Sequence, residues 1–334
     1  MKRFAILMVV ALLTVLTACN TGTNKERIIL TNISGELNEV LVVMQQSSWE
    51  SETGKSLKNI LQSDYYALPQ YEPSFKVIQI DRSGFTNIFQ LYRNIVDVNI
   101  STTVKTSKIW FGNDVYSRPQ SYIKIEAKNG IEFIKLVEKN AQKIKLFFKN
   151  AEIARLQSTY KNRFNEDVLK HIKKKFEIRV EIPANYKLET DSSNFSWISF
   201  ETPQISQGIF IYEYNYTDTS QFNLENLINT RNNFLKEYVP GPRKNSYMCT
   251  EMDFPVRRTT NLDTNGFYSV FLEGLWKVEG DFMGGPFISY SFPNKDKTSI
   301  ICIDAYVYGP KKDKRNLILQ LEAIIKTVRY LKTK

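Results

Sequence analysis

The 334-residue chain has one histidine and three cysteines. Three cysteines cannot build a disulfide scaffold or an all-cysteine zinc site, and one histidine excludes the usual histidine-rich metal centres. Glycine and proline are also scarce, at 14 and 11 residues, so a collagen-like or low-complexity chain is excluded. No G-x-G-x-x-G or Walker-type spacing surrounds the glycine pair Gly284-Gly285, so a phosphate cradle is unsupported and no cofactor is implied. What is present is 42% hydrophobic and 13% aromatic residues, enough at this length for two domains with proper cores.

The amino terminus carries the clearest signal. Lys2 and Arg3 precede an apolar stretch from Phe4 to Leu16, interrupted only by Thr14. The stretch is short for a bilayer span and the right size for the core of a signal peptide. It ends in Leu16-Thr17-Ala18-Cys19, which resembles the bacterial lipobox. The resemblance implies cleavage before Cys19, diacylglycerol on its sulfur and an acylated new terminus. Residues 1–18 are read as a lipoprotein signal peptide and 19–30 as a polar, lipidated tether. Asn20 is not the aspartate that favours inner-membrane retention, so the outer membrane is expected, on its periplasmic face. Lys25-Glu26 is only a weak echo of surface-export signals, which leaves surface exposure open.

In an oxidising compartment Cys249 and Cys302 are permitted to pair. The other reading is two small buried residues.

Hydrophobic periodicity sketches the rest. In the first half, strands are expected at 39–45, 75–80, 95–100, 108–111 and 121–125, a helix over 49–61 and a short one over 86–92. From Ile131 to Ile182 there is no glycine and no proline. Ile134, Val137, Ala141, Ile144, Phe148 and Ala151 mark an amphipathic helix, and beyond Arg155 the stripe changes phase, which predicts two helices or one bent helix. The period then switches to alternation, placing a domain boundary near residue 175. In the second half, strands are expected at 195–200, 208–216, 267–278, 287–292 and 300–308, with helices over 224–239 and 315–331. The reading is an α+β protein of two domains, 31–175 and 176–334, each a mainly antiparallel sheet with packed helices. Arg93-Asn94 and Arg231-Asn232 hint at duplication, although a match this short arises by chance.

A string of blocks in the second half resembles a family: Tyr238-Val-Pro-Gly-Pro242, Ser246-Tyr-Met248, Gly274-Leu-Trp276, Gly280-Asp-Phe-Met-Gly-Gly-Pro-Phe287, Asp304-Ala-Tyr-Val-Tyr308 and Leu321-Glu-Ala323. The chain is similar to Bacteroidota envelope lipoproteins grouped as domain-of-unknown-function family 4837, with looser echoes in the first half at Arg118-Pro-Gln120 and Ile182-Pro183. The resemblance implies an envelope lipoprotein with two α+β domains and brings no catalytic residues. The strand–helix order of the second half is also similar to the sandwich of PsbP-type domains.

No catalytic constellation and no metal set stand out. Arg231, Tyr247, Trp276, Met283, Gly284, Gly285 and Pro286 form the candidate binding set, with the two glycines read as a turn of positive φ. Glu273, Asp281 and Asp304 are carboxylates that can converge as an acid/base pair or be held by Arg231 and Arg243. His171 lies in a lysine run and reads as an exposed helix residue. Two functions follow. The first is a non-enzymatic binding or assembly module for an envelope protein or glycan. The alternative is a hydrolase or transferase of envelope polymers, using those carboxylates beside the Met-Gly-Gly-Pro turn.

Finally, the net charge of +10 is unevenly distributed. Residues 128–175 carry 13 basic against 5 acidic side chains, while the flanking parts of the mature chain are balanced. Such a stretch on a tethered protein can lie against anionic lipid, or it can be a solvated face. Nucleic acid is not an expected partner outside the cytoplasm.

Overall fold

The computed structural model describes residues 30–262 and 268–331. The leader, Cys19 and the tether through residue 29 lie outside the described residues, as does Phe267 at the start of an expected strand.

The first half runs β1 (Thr31–Asn32), β2 (Glu39–Val43), α1 (Gln46–Trp49), α2 (Glu52–Leu61), β3 (Lys76–Ile80), α3 (Asn87–Gln90), β4 (Asn94–Ile100), β5 (Lys108–Asn113), β6 (Ser117–Arg118), β7 (Ser121–Ala127), α4 (Gly130–Lys139) and α5 (Ala141–Tyr160). Ser51 caps α2 by accepting from the Thr53 amide, and Asn129 caps α4 by accepting from Glu132. Five strands form one sheet in the order β3-β2-β4-β7-β5. Three of its pairings are parallel and only β5–β7 is antiparallel, which corrects the expected mainly antiparallel first sheet. The reason is the connection: β2 reaches β3 through α1 and α2, and a helical crossover returns the chain in the same direction. β2 is accordingly buried at all five positions, as a strand covered on both faces must be.

The second half runs α6 (Glu166–Phe176), β8 (Ile178–Arg179), β9 (Lys187–Ser192), β10 (Phe195–Glu201), β11 (Ser206–Asn215), α7 (Leu224–Tyr238), β12 (Tyr247–Thr250), β13 (Arg257–Leu262), β14 (Tyr268–Glu279), β15 (Gly284–Pro293), β16 (Ser299–Tyr308), α8 (Arg315–Ile325) and β17 (Arg329–Tyr330). Its sheet is antiparallel throughout, in the order β12-β14-β15-β16-β11-β10-β9, with β13 continuing the β12 edge along β14. Alternation sorts the side chains. Ile209, Ile211, Ile301, Ile303 and Val307 face α6 and α8, whereas Phe210, Tyr212, Trp276, Cys302 and Tyr306 face α7. The whole is α+β, as the periodicity implies. The first sheet, being mainly parallel, makes duplication untenable, and Arg93 precedes a strand while Arg231 lies within a helix.

Two boundaries differ from expectation. Helices α4 and α5 part at Asn140, whose side chain bonds the Leu136 carbonyl, whereas α5 runs without a break past Arg155. The change of stripe there is a change of partner. Ile144 and Phe148 pack on the first sheet, while Ile153, Leu156 and Tyr160 pack on Leu319 and Ala323 of α8. Likewise α6 belongs to the second core through Val168, Ile172 and Phe176. The change of core therefore comes before α6 rather than near residue 175.

Helix α8 joins the halves. Ile318, Leu321, Ile324 and Ile325 face the second sheet, and Leu319 and Ala323 face α5, so the helix is apolar on both sides. Its amino terminus is held from the other half: the buried Glu72 accepts from the backbone amides of Lys314 (2.7 Å) and Arg315 (2.9 Å). Carboxylate at a helix amino terminus satisfies orphan donors and meets the favourable end of the dipole. Asn38 adds a bond to Asn316 at 2.9 Å.

Replacing Glu72 by Ala leaves two amides at this buried helix end without their acceptor. Urea unfolding should show a loss of about 1–3 kcal/mol. A change within experimental error would show that the cap does not hold the halves together.

Candidate functional site

Where α5 and α8 meet the edge of the second sheet, a cleft of about 610 Å³ opens between the halves. Its geometry comes from two simple repeats. On α5, Gln142, Lys145, Leu146 and Lys149 stand at i, i+3, i+4 and i+7, one helical stripe beside the apolar one. On β13, Arg257, Thr259 and Asn261 alternate towards the same side. Phe271, Glu273, Glu322 and Lys326 lie between them, and the loop residues Asp64, Tyr65 and Tyr66 close one end.

The charges are arranged as two clasps. The Glu322 carboxylate, only 3% exposed, takes Lys149 at 2.8 Å from α5 and Lys326 at 2.8 Å from its own helix. Burial acts to raise the Glu322 carboxyl, but the two ammonium groups outweigh it and hold it below its ordinary value. Burial likewise acts to lower the Lys149 ammonium, and Tyr65 and Glu322 overcome it and raise it. Burial raises the Tyr65 phenol, whose ring centroid lies 5.6 Å from the Lys149 ammonium. Each of the three is thereby kept in its usual charge state. At the far wall, Arg257 donates to Glu273 at 2.7 Å and lies 4.1 Å over the Tyr66 ring, whose hydroxyl reaches the Pro255 carbonyl. This second clasp again joins one half to the other.

The candidate binding set lies elsewhere. Arg231, 1% exposed, donates to Asp304 at 2.5 Å and to Thr250 at 2.9 Å, with its guanidinium 3.8 Å from the Phe287 ring. Trp276 is buried, its indole donating to the Val307 carbonyl at 3.2 Å. Tyr247 lies on the edge strand β12 under Lys236, and Met283 packs partly against the α7-side core. Gly284, Gly285 and Pro286 do not form the expected turn; they enter β15. A Cβ on Gly285 would stand 2.1 Å from the Val307 carbonyl oxygen, so close strand approach is what requires glycine. The turn glycine is Gly280, at φ 84°. None of this set lines the cleft.

Other expectations are corrected as well. Cys249 and Cys302 are both free and buried, with β14 and β15 between their strands, so no disulfide forms. The three carboxylates do not converge: Glu273 faces the cleft, Asp304 is buried with Arg231 on the opposite face, and Asp281 pairs with Arg243 beside a hairpin. His171 is not exposed, since its Nε2 lies 2.9 Å from the Ser196 hydroxyl and 3.6 Å from Asp191. Ser196 is fully buried and also takes Lys175 at 3.0 Å, so the group is a bonded junction between α6 and the sheet. The basic stretch is spread over α4, α5 and α6, and Lys149, Arg155 and Lys175 are used internally. Among the described residues no His, Cys, Asp and Glu cluster is arranged for a metal, and no helix is long and apolar enough to cross a membrane. Sequence reasoning missed the cleft because its α5 stripe reads as a solvated polar face.

Residues 165–327 match the model of Domain of unknown function (DUF4837), in line with the resemblance carried by the second-half blocks. Residues 33–161 match a separate model, Domain of unknown function (DUF8532), so the first half is described by its own family model. No curated protein matches the chain. Among solved structures, LpqN of Mycobacterium tuberculosis, described as involved in cell envelope biogenesis, is 12% identical, with 45% of this chain and 81% of that one covered at a TM-score of 0.26. The lipid transfer and protein localization domain of human StarD13 (DLC2) is 12% identical, with 50% and 96% covered at 0.23. A Bacteroides thetaiotaomicron protein is 8% identical, with 47% and 46% covered at 0.20. These likenesses are distant.

The depressed carboxyl of Glu322 fixes a pH dependence. Its contribution is complete above the ordinary carboxylate value and is lost as pH falls through the lower folded value. Glu322→Gln should cost about 3 kcal/mol at neutral pH, because two partly buried ammonium groups lose their counter-ion. In urea unfolding followed against pH, that difference should narrow below about pH 4. A gap that stays constant down to acid pH would refute the assignment.

Proposed function

We propose that the protein is a lipid-anchored outer-membrane lipoprotein that serves as a non-enzymatic binding or assembly module and engages its partner in the interdomain cleft. The observation that carries this reading is the cleft itself, about 610 Å³ and walled by both halves. Pockets of this size at domain interfaces are the usual places for ligands. The charge states support binding over catalysis, since general acid–base work calls for a group poised near the working pH. Here the raised Lys149 and Tyr65 and the lowered Glu322 are held firmly in their ordinary forms. The anchor rests on the lipobox at Leu16–Cys19, and the periplasmic face is the favoured side. Lys170 and Lys174 stay exposed on α6, so contact with anionic lipid belongs to the same reading.

The anchor is tested by growing cells with an alkyne-bearing fatty acid. The wild-type protein should take the label and fractionate with the outer membrane, while Cys19→Ser should remain an unlabelled precursor. Labelling of the variant would refute lipidation at this cysteine.

The module is tested by cross-linking the tagged protein in native membranes. A partner held by the cleft should be recovered with the wild type and lost from the double variant Gln142→Glu, Lys145→Glu, which reverses charge on the α5 wall. Equal recovery by both proteins would remove the cleft from the reading.

A further inference from the structure

The cleft has a charge imbalance that its own side chains do not cancel. Four cations line it, Lys145, Lys149, Arg257 and Lys326, against the three carboxylates Asp64, Glu273 and Glu322. Glu273 is occupied by Arg257, and the single buried Glu322 is shared by Lys149 and Lys326. Lys145 has no carboxylate within ion-pair distance among the described residues; its ammonium touches only the Ser63 hydroxyl, at 3.4 Å. Asp64 is exposed and pairs with none of the four among the described residues. An unmatched ammonium next to a shared carboxylate, in a concavity of reduced dielectric, is a place where an added anion gains more than it would on open surface.

The rest of the lining says what body that anion should carry. Gln142 on one wall and Thr259 on the other make no side-chain hydrogen bond among the described residues, and Asn261 continues the same row. Facing amide and hydroxyl groups suit a ligand dense in hydroxyls. The rings of Tyr65 and Tyr66 at the closed end and the exposed Leu146 on the α5 wall supply apolar surface for the face of a sugar ring.

We propose that the cleft binds an acid-bearing saccharide, with the carboxylate or phosphate at Lys145 and the sugar hydroxyls at Gln142, Thr259 and Asn261. This rests on the reading of the cleft as the binding site and adds the ligand's chemical class. Uronic acids and sugar phosphates share the required anion, and an acidic peptide is the competing macromolecule.

Isothermal titration of the mature chain with tetragalacturonate, mannose 6-phosphate, maltotetraose and tetraglutamate separates these cases. One or both acid-bearing saccharides should bind, at least about ten-fold more tightly than neutral maltotetraose. The stronger of the two identifies the source of the anion. Lys145→Glu should weaken that binding by about ten-fold or more, and Lys145→Arg should keep it within about two-fold. Should Lys145→Glu fold poorly by circular dichroism, the exposed Gln142→Glu places the same repulsion one turn away. The proposal is overturned if maltotetraose binds as well as the acids, if tetraglutamate alone binds, or if Lys145→Glu leaves saccharide affinity unchanged. Absence of saccharide binding with a cross-linked partner still lost from the cleft variant would end this inference and leave the binding-module reading standing.

Discussion

Everything in the molecule depends on one helix with no free side. Helix α8 gives Ile318, Leu321, Ile324 and Ile325 to the second sheet and Leu319 and Ala323 to α5. A helix with apolar stripes on two sides has no stable position on a surface, because exposing either stripe forfeits about 1.5–3 kcal/mol for each large aliphatic side chain. The first sheet, α5, α8 and the second sheet are thereby stacked in one order. The polar contacts at the ends of α8 then fix its register: Glu72 at the amino terminus, and Glu322 with Lys149 further along.

Charge in so buried a place is costly unless it is paired, and the pairing here has a side effect. Lys149 and Lys326 satisfy Glu322, yet two cations on one anion leave a residual positive field at the floor of the cleft. Tyr66, Arg257 and Glu273 make a second bridge, further out. The opening lies between these two bridges, and its width follows from contacts that the fold itself requires. The same interactions that stabilise the interface thus shape the concavity and set its electrostatic character.

Much of this was legible in the residues, and the failures have physical causes. Alternation in Phe195–Phe200 and in Ile300–Tyr308 marks strands because a sheet covered on both sides still sorts side chains with a period of two. Sheet direction was missed in the first half because strand pattern is nearly blind to it; the helix between β2 and β3 held that information. The phase change in α5 was visible, but not its meaning, since a helix that passes from a sheet to another helix changes stripe without bending. Gly284-Gly285 drew attention as a turn, whereas a strand packed against a neighbouring carbonyl needs small residues just as strictly. The cleft was not legible at all. Gln142, Lys145 and Lys149 are ordinary polar-face residues until a second domain stands opposite them.

The place of α8 in the chain has a consequence for how the protein comes into being. Residues 315–325 follow every strand of the two large sheets, so during synthesis both sheets precede the helix that joins them. Until then the Ile209–Ile303 side of the second sheet lacks one of its two covering helices, and Ile153 and Leu156 of α5 lack Leu319 and Ala323. The cleft does not exist in a nascent chain that stops before α8, because its floor includes Glu322 and Lys326. Arrival of α8, assembly of the two halves and creation of the site are one event, and a chain cut short before α8 forfeits all of them together.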